Sequence, residues 1–430
     1  MPTLEAMLKR FLTTAGGAVI GLVLAYSAAH FAAAWGLFPN RELDRSAAYV
    51  RQVMQLVSEN YVDASQASYD QLARSALHGL VQSLDPHSEF MEAKDFSELE
   101  EDMNAEFGGI GIQVEMRNGR VVVIAPIANT PSDRAGVLRG DEIVSVDGQG
   151  MDKMPMNDVI SRLRGKPKTR VTVRFLRPST KKQFEVHLIR EVIKVESVKD
   201  VRLLKDEVGY IQLTQFSERT GREFIDALNK LIADGMQALV LDLRNNPGGL
   251  LDAAVEVAEP FFKRGELIVY TQGRDPKDRE DFKGESDDPP LNVPLAVLIN
   301  AGSASAAEIV AGALRDTHKA VIVGERSFGK GSVQTIFNLK NGEGLRLTTA
   351  RYYTPSGVTI HEKGIEPNVD VVMTPEEDRQ LRIQRARSDV QDSREFKQRF
   401  GFEPIQDRQL ETALEILAGL RAWNAHGGGD

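Results

Sequence analysis

The sequence predicts a multidomain α/β protein in which helical regions at both ends flank a β-rich module and a layered βα domain. Three observations support this fold class. Apolar residues recur with a helical period between residues 39 and 104, alternate with a period of two after Phe107, and from Val208 onward form short strands separated by helices. A chain of 430 residues has room for roughly two to four folded units.

The first residues differ from the rest of the chain. No Asp, Glu, Lys or Arg occurs from Phe11 to Phe38, and Lys9 and Arg10 precede this run. The run is long enough for a hydrocarbon layer about 30 Å thick, while Ala32–Ala34 supply the small residues that a signal peptidase requires. Residues 1–38 are therefore predicted to be a signal peptide or a retained signal anchor. The chain is expected in the periplasm, or on the outer face of the cytoplasmic membrane if this membrane contact is retained.

The region 39–104 is predicted to be helical. One helical face carries Val50, Val53, Met54 and Val57. Such a thin region cannot enclose a core by itself, so its apolar face is expected to pack on another domain or subunit. Dimerisation through this face, and hence a homo-oligomer, is the expectation.

Three further regions follow. Residues 105–192 contain short strands around one helix and are predicted to form a compact β-rich module. Residues 193–375 alternate strand and helix, which is typical of helices covering a sheet. Residues 376–430 are predicted to be helices that dock on a neighbour, followed by a disordered Gly-rich tail. The docking stripe consists of Leu410, Ala413, Leu414 and Leu417.

Composition excludes several classes of protein. The absence of Cys removes thiol nucleophiles, Cys-ligated zinc and iron–sulfur clusters. A net charge of −9 leaves no broad basic face, so nucleic acid is not an expected partner. The seven His are scattered and form no H-E-x-x-H motif, so neither a metal nor another cofactor is expected.

Three loops follow apolar strands of the βα domain, where open α/β sheets place their ligands. They are DLRNNPGG (242–249), NAGSASAAE (300–308) and GERSFGKGSVQ (324–334). The second loop places Ser305 at the start of a predicted helix, where free backbone amides face an incoming anion. Alternatively, Ser303 or Ser305 serves only as a helix N-cap.

The third loop partly matches a phosphate-binding P-loop through Gly324, Gly329 and Lys330. Gly331 stands where Ser or Thr should ligate magnesium, and the following alternation predicts a strand instead of a helix. On such a strand Lys330, Ser332 and Gln334 share one face, so that Gln334 is placed to orient the Lys330 amine.

Together, GSASAAE (302–308) and FGKGSVQ (328–334) resemble the active site of the carboxyl-terminal processing proteases, also called tail-specific proteases, of peptidase family S41. Further motifs of the same family are LDPHSEF (84–90), FGGIGI (107–112), DLRNNPGG (242–249) and YYTPSG (352–357). The resemblance implies a βα layered serine-protease core of the S41 (crotonase-like) type with an inserted PDZ domain.

The resemblance also implies roles for individual residues. Ser305 would be the nucleophile and Lys330 the general base, which requires a lysine pKa well below its usual value near 10.4. The backbone N–H groups of Gly249 and Ala306 would form the oxyanion hole. The PDZ loop that would receive a substrate C-terminus comprises Phe107, Gly108, Gly109, Ile110, Gly111 and Ile112.

A Ser/His/Asp arrangement using His318 and Asp316 is disfavoured because both follow the helix whose first turn holds Ser305. Asp316 and Glu308 are assigned structural roles.

The expected function is therefore cleavage of exported proteins at or near their C-termini by a Ser/Lys serine endopeptidase, with protein or peptide substrates that have free C-termini. Activation by an adaptor protein or by movement of the PDZ domain stays open. Two alternatives remain: a catalytically silent PDZ scaffold or sensor that binds C-termini, and a P-loop nucleotide switch.

Overall fold

The computed structural model describes residues 40–117, 119–127, 129–151, 154–387, 390 and 392–426. The predicted signal segment 1–38 and the predicted tail beyond His426 lie outside these residues. None of the helices in the described part of the chain is both long and apolar enough to cross a membrane. The chain divides into two units between Leu84 and Asp85.

The first unit contains helices α1 (Arg41–Asn60) and α2 (Tyr69–Gln82). The side chain of Asn40 accepts the N–H groups of Glu42 and Leu43 and so caps α1. α1 holds none of the buried residues, as expected for a helix pair too small to enclose a core.

The second unit begins with β1 (Glu89–Met91) and α3 (Ala93–Asn104), so the predicted helical region 39–104 spans both units. A β-rich module follows. It consists of β2 (Glu106–Gly109), β3 (Ile112–Arg117), β4 (Arg120–Pro126), α4 (Pro131–Arg134), β5 (Glu142–Val146), β6 (Gln149–Gly150), α5 (Met156–Leu163), β7 (Arg170–Arg177), β8 (Lys182–Ile189) and β9 (Glu191–Lys194).

The sheet of this module has the strand order β3-β4-β5-β7-β8, with β6 paired to β5 and a separate β2-β9 pair. Its neighbouring strands are antiparallel. One face of β7 carries the buried Val171, Val173 and Phe175, because side chains alternate between the two faces of a strand.

A layered core occupies the rest of the unit. Its elements are β10 (Val198–Leu203), β11 (Val208–Leu213), α6 (Thr220–Ala233), β12 (Ala238–Asp242), α7 (Leu251–Ala258), β13 (Leu267–Gln272), β14 (Arg279–Lys283), β15 (Leu295–Ile299), α8 (Ala306–Asp316), β16 (Val321–Gly324), β17 (Ser332–Asn338), β18 (Gly344–Tyr353), β19 (Val369–Asp370), α9 (Pro375–Ala386), α10 (Ser393–Phe400) and α11 (Arg408–Ala425).

The main sheet has the order β10-β11-β12-β15-β16-β19, and its strands from β11 to β19 are parallel. Every residue of β12 and β15 is buried, as is typical of parallel strands covered on both faces. Helices α6, α7 and α8 contribute to the core on one face. α11 covers the other face, where Ala413 and Leu417 are fully buried. The predicted docking stripe of the C-terminal helices therefore lies against the sheet.

A second sheet has the order β1-β18-β13-β14, with β17 also paired to β18. β17 begins at Ser332, so the last residues of the third loop (324–334) already belong to a strand. A strand at this point excludes the P-loop alternative, because a P-loop requires a helix that directs its amides at the phosphates.

An ion network ties the C-terminal helices to the sheet. The Arg244 guanidinium contacts Asp242 at 2.6 Å and Asp407 at 2.8 Å, and Arg385 contacts Asp242 at 3.0 Å. The Tyr210 hydroxyl donates to Asp242 at 2.6 Å. These ion pairs and hydrogen bonds offset the desolvation penalty of the buried Asp242 carboxylate.

Candidate active site

The three predicted loops meet at one edge of the main sheet. β12, β15 and β16 are parallel neighbours, so their carboxyl ends lie side by side. The Ala304 N–H donates to the Asn246 carbonyl at 2.9 Å, and the Phe328 N–H donates to the Ser303 carbonyl at 3.0 Å. The first loop is thus bonded to the second, and the second to the third.

Ser305 occupies the N-cap position of α8 with backbone angles φ 55° and ψ −114°. This region is sparsely populated for a residue with a side chain, and such strain is concentrated at functional sites. A serine on a sharp, strained strand-to-helix turn is also how α/β-hydrolases expose a nucleophile. Ser303, the alternative, donates its hydroxyl to the Leu243 carbonyl at 2.8 Å and serves to hold the loop.

The glycines of the first loop pack directly on this turn. A Cβ on Gly248 would lie 2.7 Å from Ser305 Cβ and 2.9 Å from the Ala306 nitrogen. Within the described part of the chain, the N–H groups of Gly249 and Ala306 donate to no protein acceptor. The Ala306 N–H directly follows the serine and Gly249 adjoins Gly248, but an oxyanion hole formed by these two donors stays a prediction.

One carboxylate connects the second and third loops. Glu308 Oε2 accepts the backbone N–H groups of Ser305 at 2.8 Å and Lys330 at 2.9 Å. Its Oε1 accepts from the Ser327 hydroxyl at 2.6 Å and the Gly329 N–H at 2.7 Å. Burial raises the pKa of Glu308, and these four hydrogen bonds to the carboxylate oppose that rise. Glu308 thus has the structural role expected for it, and it also sets the spacing of two candidate catalytic residues.

The environment of Lys330 favours its neutral form. Burial lowers the pKa of Lys330, and the positive charge of Arg346 lowers it further, whereas Glu308 acts in the opposite direction. Among the hydrogen bonds of the described residues, none joins the Lys330 amine to the Ser305 hydroxyl. The structure therefore places the backbones of the two residues together without engaging their side chains.

Gln334 does not orient the Lys330 amine as expected. Its amide donates to the Ser332 hydroxyl at 2.8 Å and to the Thr348 hydroxyl at 3.4 Å. Ser332 and Gln334 do share a face. A register shift between Val333 and Gln334 accompanies this pairing with β18, and in the described residues no hydrogen bond connects Gln334 with Lys330.

His318 and Asp316 lie at the far end of α8 from Ser305. Eleven helical residues separate the two ends by about 16 Å. The Asp316 carboxylate accepts the hydroxyl of Ser356, and His318 is exposed in the turn that follows the helix. Neither residue is in reach of Ser305, in agreement with the expectation.

An apolar groove of 260 Å³ opens between β3 and α5 of the β-rich module. Four of the six predicted tail-binding residues line it together with parts of α5 and β3. The lining consists of Phe107, Gly109, Ile110, Ile112, Gln113, Val114, Ile160, Leu163 and Arg164. The Arg164 guanidinium lies 4.3 Å from the centre of the Phe107 ring.

Gly108 and Gly111 were also predicted to bind the tail but do not line this groove. A Cβ on Gly108 would lie 2.1 Å from the Gly165 carbonyl, and one on Gly111 would lie 2.2 Å from Thr130 Cβ. Both glycines permit close packing inside the module. This packing explains why they do not line the groove.

Comparisons with known proteins identify the family of the chain. A family model of peptidase family S41 matches residues 207–371, and a PDZ domain model matches residues 108–188. The carboxy-terminal-processing protease of Bartonella bacilliformis is 43% identical over 304 residues, which cover 70% of this chain and 69% of that relative. The chain belongs to peptidase family S41.

Two further similarities concern a sequence relative and a solved structure. The carboxy-terminal processing protease CtpA of Bacillus subtilis is 36% identical over 301 residues, covering 70% of this chain and 64% of that relative, slightly less than two thirds of its length. A solved structure from Bacteroides fragilis, described as an S41 protease, matches 86% of this chain and 97% of its own with a TM-score of 0.51. At 16% identity, that match supports the fold alone. From the sequence relatives and the PDZ match, the protein is a carboxy-terminal-processing serine protease with a PDZ domain.

Some residues around Ser305 and Lys330 had no predicted role. Arg346 donates to the His87 carbonyl at 3.2 Å. Burial lowers the pKa of His87, and the positive charge of a protonated Lys330 lowers it further. Asp85 accepts from the Ser88 hydroxyl at 2.7 Å and from the Thr348 hydroxyl at 3.2 Å. LDPHSEF therefore borders the site, and its presence as a family motif was the signal that pointed to it.

Proposed function

We propose that the protease cleaves its substrates through a Ser305–Lys330 dyad. The observation that carries this proposal is the shared carboxylate: Glu308 bonds the backbones of both residues, while Ser305 lies in a strained turn beside two free amides. A serine hydroxyl needs an adjacent base to attack an amide, and the lowered pKa of Lys330 suits that task.

In the proposed reaction Lys330 Nζ takes the hydroxyl proton as Ser305 Oγ attacks the scissile carbonyl carbon. The Gly249 and Ala306 N–H groups stabilise the negative charge on the carbonyl oxygen. The protonated amine then gives its proton to the leaving nitrogen, the C–N bond breaks, and an acyl-enzyme remains. The neutral amine then takes a proton from a water molecule as the water oxygen attacks the acyl carbon. The bond from this carbon to Ser305 Oγ breaks, the amine returns the proton to Oγ, and the acid leaves.

Because the amine and the hydroxyl are not bonded, we propose that the site closes when a substrate tail binds the PDZ domain. A continuous path of residues supports this proposal. Phe107 of the groove follows α3, and Phe96 of α3 packs so closely on Gly344 of β18 that a Cβ there would lie 2.3 Å from its ring. β18 also carries Arg346 and Thr348, which contact the elements around the dyad.

The PDZ groove is the proposed site for a free substrate C-terminus. Its lining is mostly apolar, and β3 offers an edge for an added peptide strand. Gln334 is proposed to reach the Lys330 amine only in the closed form, because in this structure its amide bonds Ser332 and Thr348.

We also propose, from the sequence alone, that the protein acts in the periplasm or on the outer face of the cytoplasmic membrane. The apolar stripe of residues 39–104 supports a homo-oligomer. An adaptor protein is a second proposed route to activation. Fractionation of cells and sedimentation of the purified protein test these points.

The deciding experiment is degradation of an unfolded reporter that carries a free C-terminal tail. The wild-type protein is expected to degrade it and to leave the same reporter intact when its C-terminus is amidated. Ser305→Ala should abolish cleavage while tail binding and thermal unfolding stay unchanged. Residual activity at the wild-type level in Ser305→Ala would remove Ser305 from the mechanism.

The unbonded amine also favours a second candidate, a silent scaffold that only binds tails. A serine-directed phosphonate distinguishes the two, because it labels only an activated serine. Labelling of Ser305 that increases when a tail peptide is added supports the gated protease. Tail binding without any labelling supports the scaffold.

A further inference from the structure

Asp378 of the C-terminal helix α9 reaches two of the active-site loops. One of its oxygens, Oδ1, accepts the side-chain amide N–H of Asn245 at 3.2 Å and that of Asn300 at 3.2 Å. Asn245 belongs to the first loop, which leads to Gly249. Asn300 opens the second loop, which leads to Ser305.

Asn300 also joins these two loops through the oxygen of its side-chain amide. Its Oδ1 accepts the backbone N–H of Asn245 at 2.8 Å and that of Gly302 at 3.0 Å. The Asn300 side chain is buried, and a low local dielectric strengthens such hydrogen bonds. Asn300 can accept through Oδ1 only if Nδ2 faces Asp378, and the carboxylate therefore fixes the orientation of the amide.

Asn245 adopts φ 56°, a left-handed conformation that is uncommon for residues with a side chain. Three contacts hold it there: the Asn300 amide, the Asp378 carboxylate, and Gly302, where a Cβ would lie 2.8 Å from Asn245 Oδ1. The course of the first loop toward Gly249 starts from this restrained residue.

We propose that Asp378, acting through Asn300, is a positioning residue that sets the spacing of the two oxyanion donors. This inference rests on the proposed function, because it takes the N–H groups of Gly249 and Ala306 as those donors. The C-terminal helices, which lie outside the S41 match at 207–371, would then complete the active site.

The test is a double-mutant cycle on these two side chains. Asn300→Asp preserves shape but places a second carboxylate oxygen against Asp378, so kcat should fall about 10- to 100-fold. Asp378→Asn keeps an acceptor oxygen and should have a small effect. In the double variant the like-charge contact is gone, and we expect at least ten-fold recovery over Asn300→Asp alone.

Further measurements separate positioning from folding. The rate of phosphonate labelling at Ser305 should follow kcat across the cycle, while KM, peptide binding to the PDZ groove and the unfolding temperature change little. Glu376→Gln removes an exposed carboxylate from the same helical turn and serves as the matched control, with wild-type kcat expected. If Asn300→Asp does not fold, Asp378→Ala should lower kcat with KM unchanged.

Two outcomes would overturn the inference: effects of the two substitutions that simply add, or an Asp378→Ala variant with wild-type kcat and labelling rate. Failure of the proposed function looks different, since Ser305→Ala would then retain activity. If the effects of the two substitutions add while Ser305→Ala is inactive, only the role of Asp378 is rejected.

Discussion

Ser305 and Lys330 donate their backbone N–H groups to the same oxygen atom, Oε2 of Glu308. The two loops are therefore held in register by a buried side chain that takes no part in the proposed proton transfer. This arrangement accounts for a site that is assembled at the backbone level while the amine and hydroxyl are not bonded.

The charge of Arg346 should tune the pH dependence of the protease. Burial and Arg346 both lower the pKa of Lys330, and the neutral amine is the proposed base, so kcat/KM should rise with pH through this lowered pKa. Arg346→Leu removes a cation, which raises the pKa of Lys330 and moves this limb of the profile to higher pH. Initial rates on a tail-bearing peptide between pH 5 and about pH 10 would measure the shift.

Two control variants make this profile decisive. Arg346→Lys keeps the positive charge and should leave the limb close to its wild-type position. Lys330→Arg should be inactive at every pH, because a guanidinium stays protonated. An unshifted limb in Arg346→Leu would show that Arg346 does not act on the base.

Replacing Glu308 by Gln should damage both activity and stability. All four groups that face the Glu308 carboxylate are donors, two on each oxygen. A glutamine has one acceptor oxygen, and its NH2 group would face the two donors that the second carboxylate oxygen now accepts. Each buried donor left unpaired costs about 1–3 kcal/mol. We expect kcat/KM to fall at least about ten-fold and the free energy of unfolding to drop by about 2 kcal/mol.

Urea unfolding and steady-state kinetics check the Glu308 prediction together. Glu376→Gln is again the control, since that carboxylate is exposed and, among the described residues, its hydrogen bonds go to Arg379 and Gln380 of its own helix. A Glu308→Gln protein with wild-type stability and kinetics would contradict the role assigned to the shared oxygen.

Gly248→Ala should inactivate the enzyme by displacing the first loop. The new Cβ would lie 2.6 Å from the Ala304 carbonyl oxygen and 2.7 Å from Ser305 Cβ, at a glycine with φ 96°. Losing one oxyanion donor costs about 100- to 1,000-fold in kcat, and we expect a loss of this size. Peptide hydrolysis and phosphonate labelling measure it.

Gly235 provides the matched control for this substitution. It has a similar φ of 90°, but a Cβ there would meet no atom within 4 Å. Gly235→Ala therefore carries the same backbone strain without the contact, and it should lower stability slightly while kcat stays at the wild-type level. Equal activity losses in the two variants would attribute the effect to strain alone.

The apolar groove of the PDZ domain should discriminate substrates by their tails. Ile160→Ser removes an apolar side chain from the groove lining and is expected to weaken binding of a tail peptide about ten-fold, a difference of about 1.4 kcal/mol. Fluorescence anisotropy with a labelled peptide measures this change. Ile189→Ser changes an exposed residue of β8 outside the groove and should bind as the wild type does. Unchanged binding in Ile160→Ser would place the tail elsewhere.

Local patterns in the sequence were enough to locate the parts of the site. The motif around Ser305, the apolar strand before it and the helix after it are contiguous, and so are Lys330 and β17. Parallel strands bring their carboxyl ends to one edge, which is why three separate loops were expected to meet. The three loops are indeed bonded to one another, whereas the catalytic roles of Ser305, Lys330 and the glycine-rich first loop stay predictions.

What the sequence determined by itself is therefore the order of the elements, the family and the residues proposed to carry the chemistry, because each depends on neighbours along the chain. Tertiary structure decided how those residues meet. Four contacts that join separate segments were not predicted. They are the hydrogen bonds of Glu308 to two loops, of Gln334 to Thr348 and of Asp378 to Asn300, and the packing of Gly108 and Gly111 away from the groove. Such contacts depend on which strands pair and on which helix covers which face of a sheet. Periodicity along one segment predicts only which of its own faces is buried.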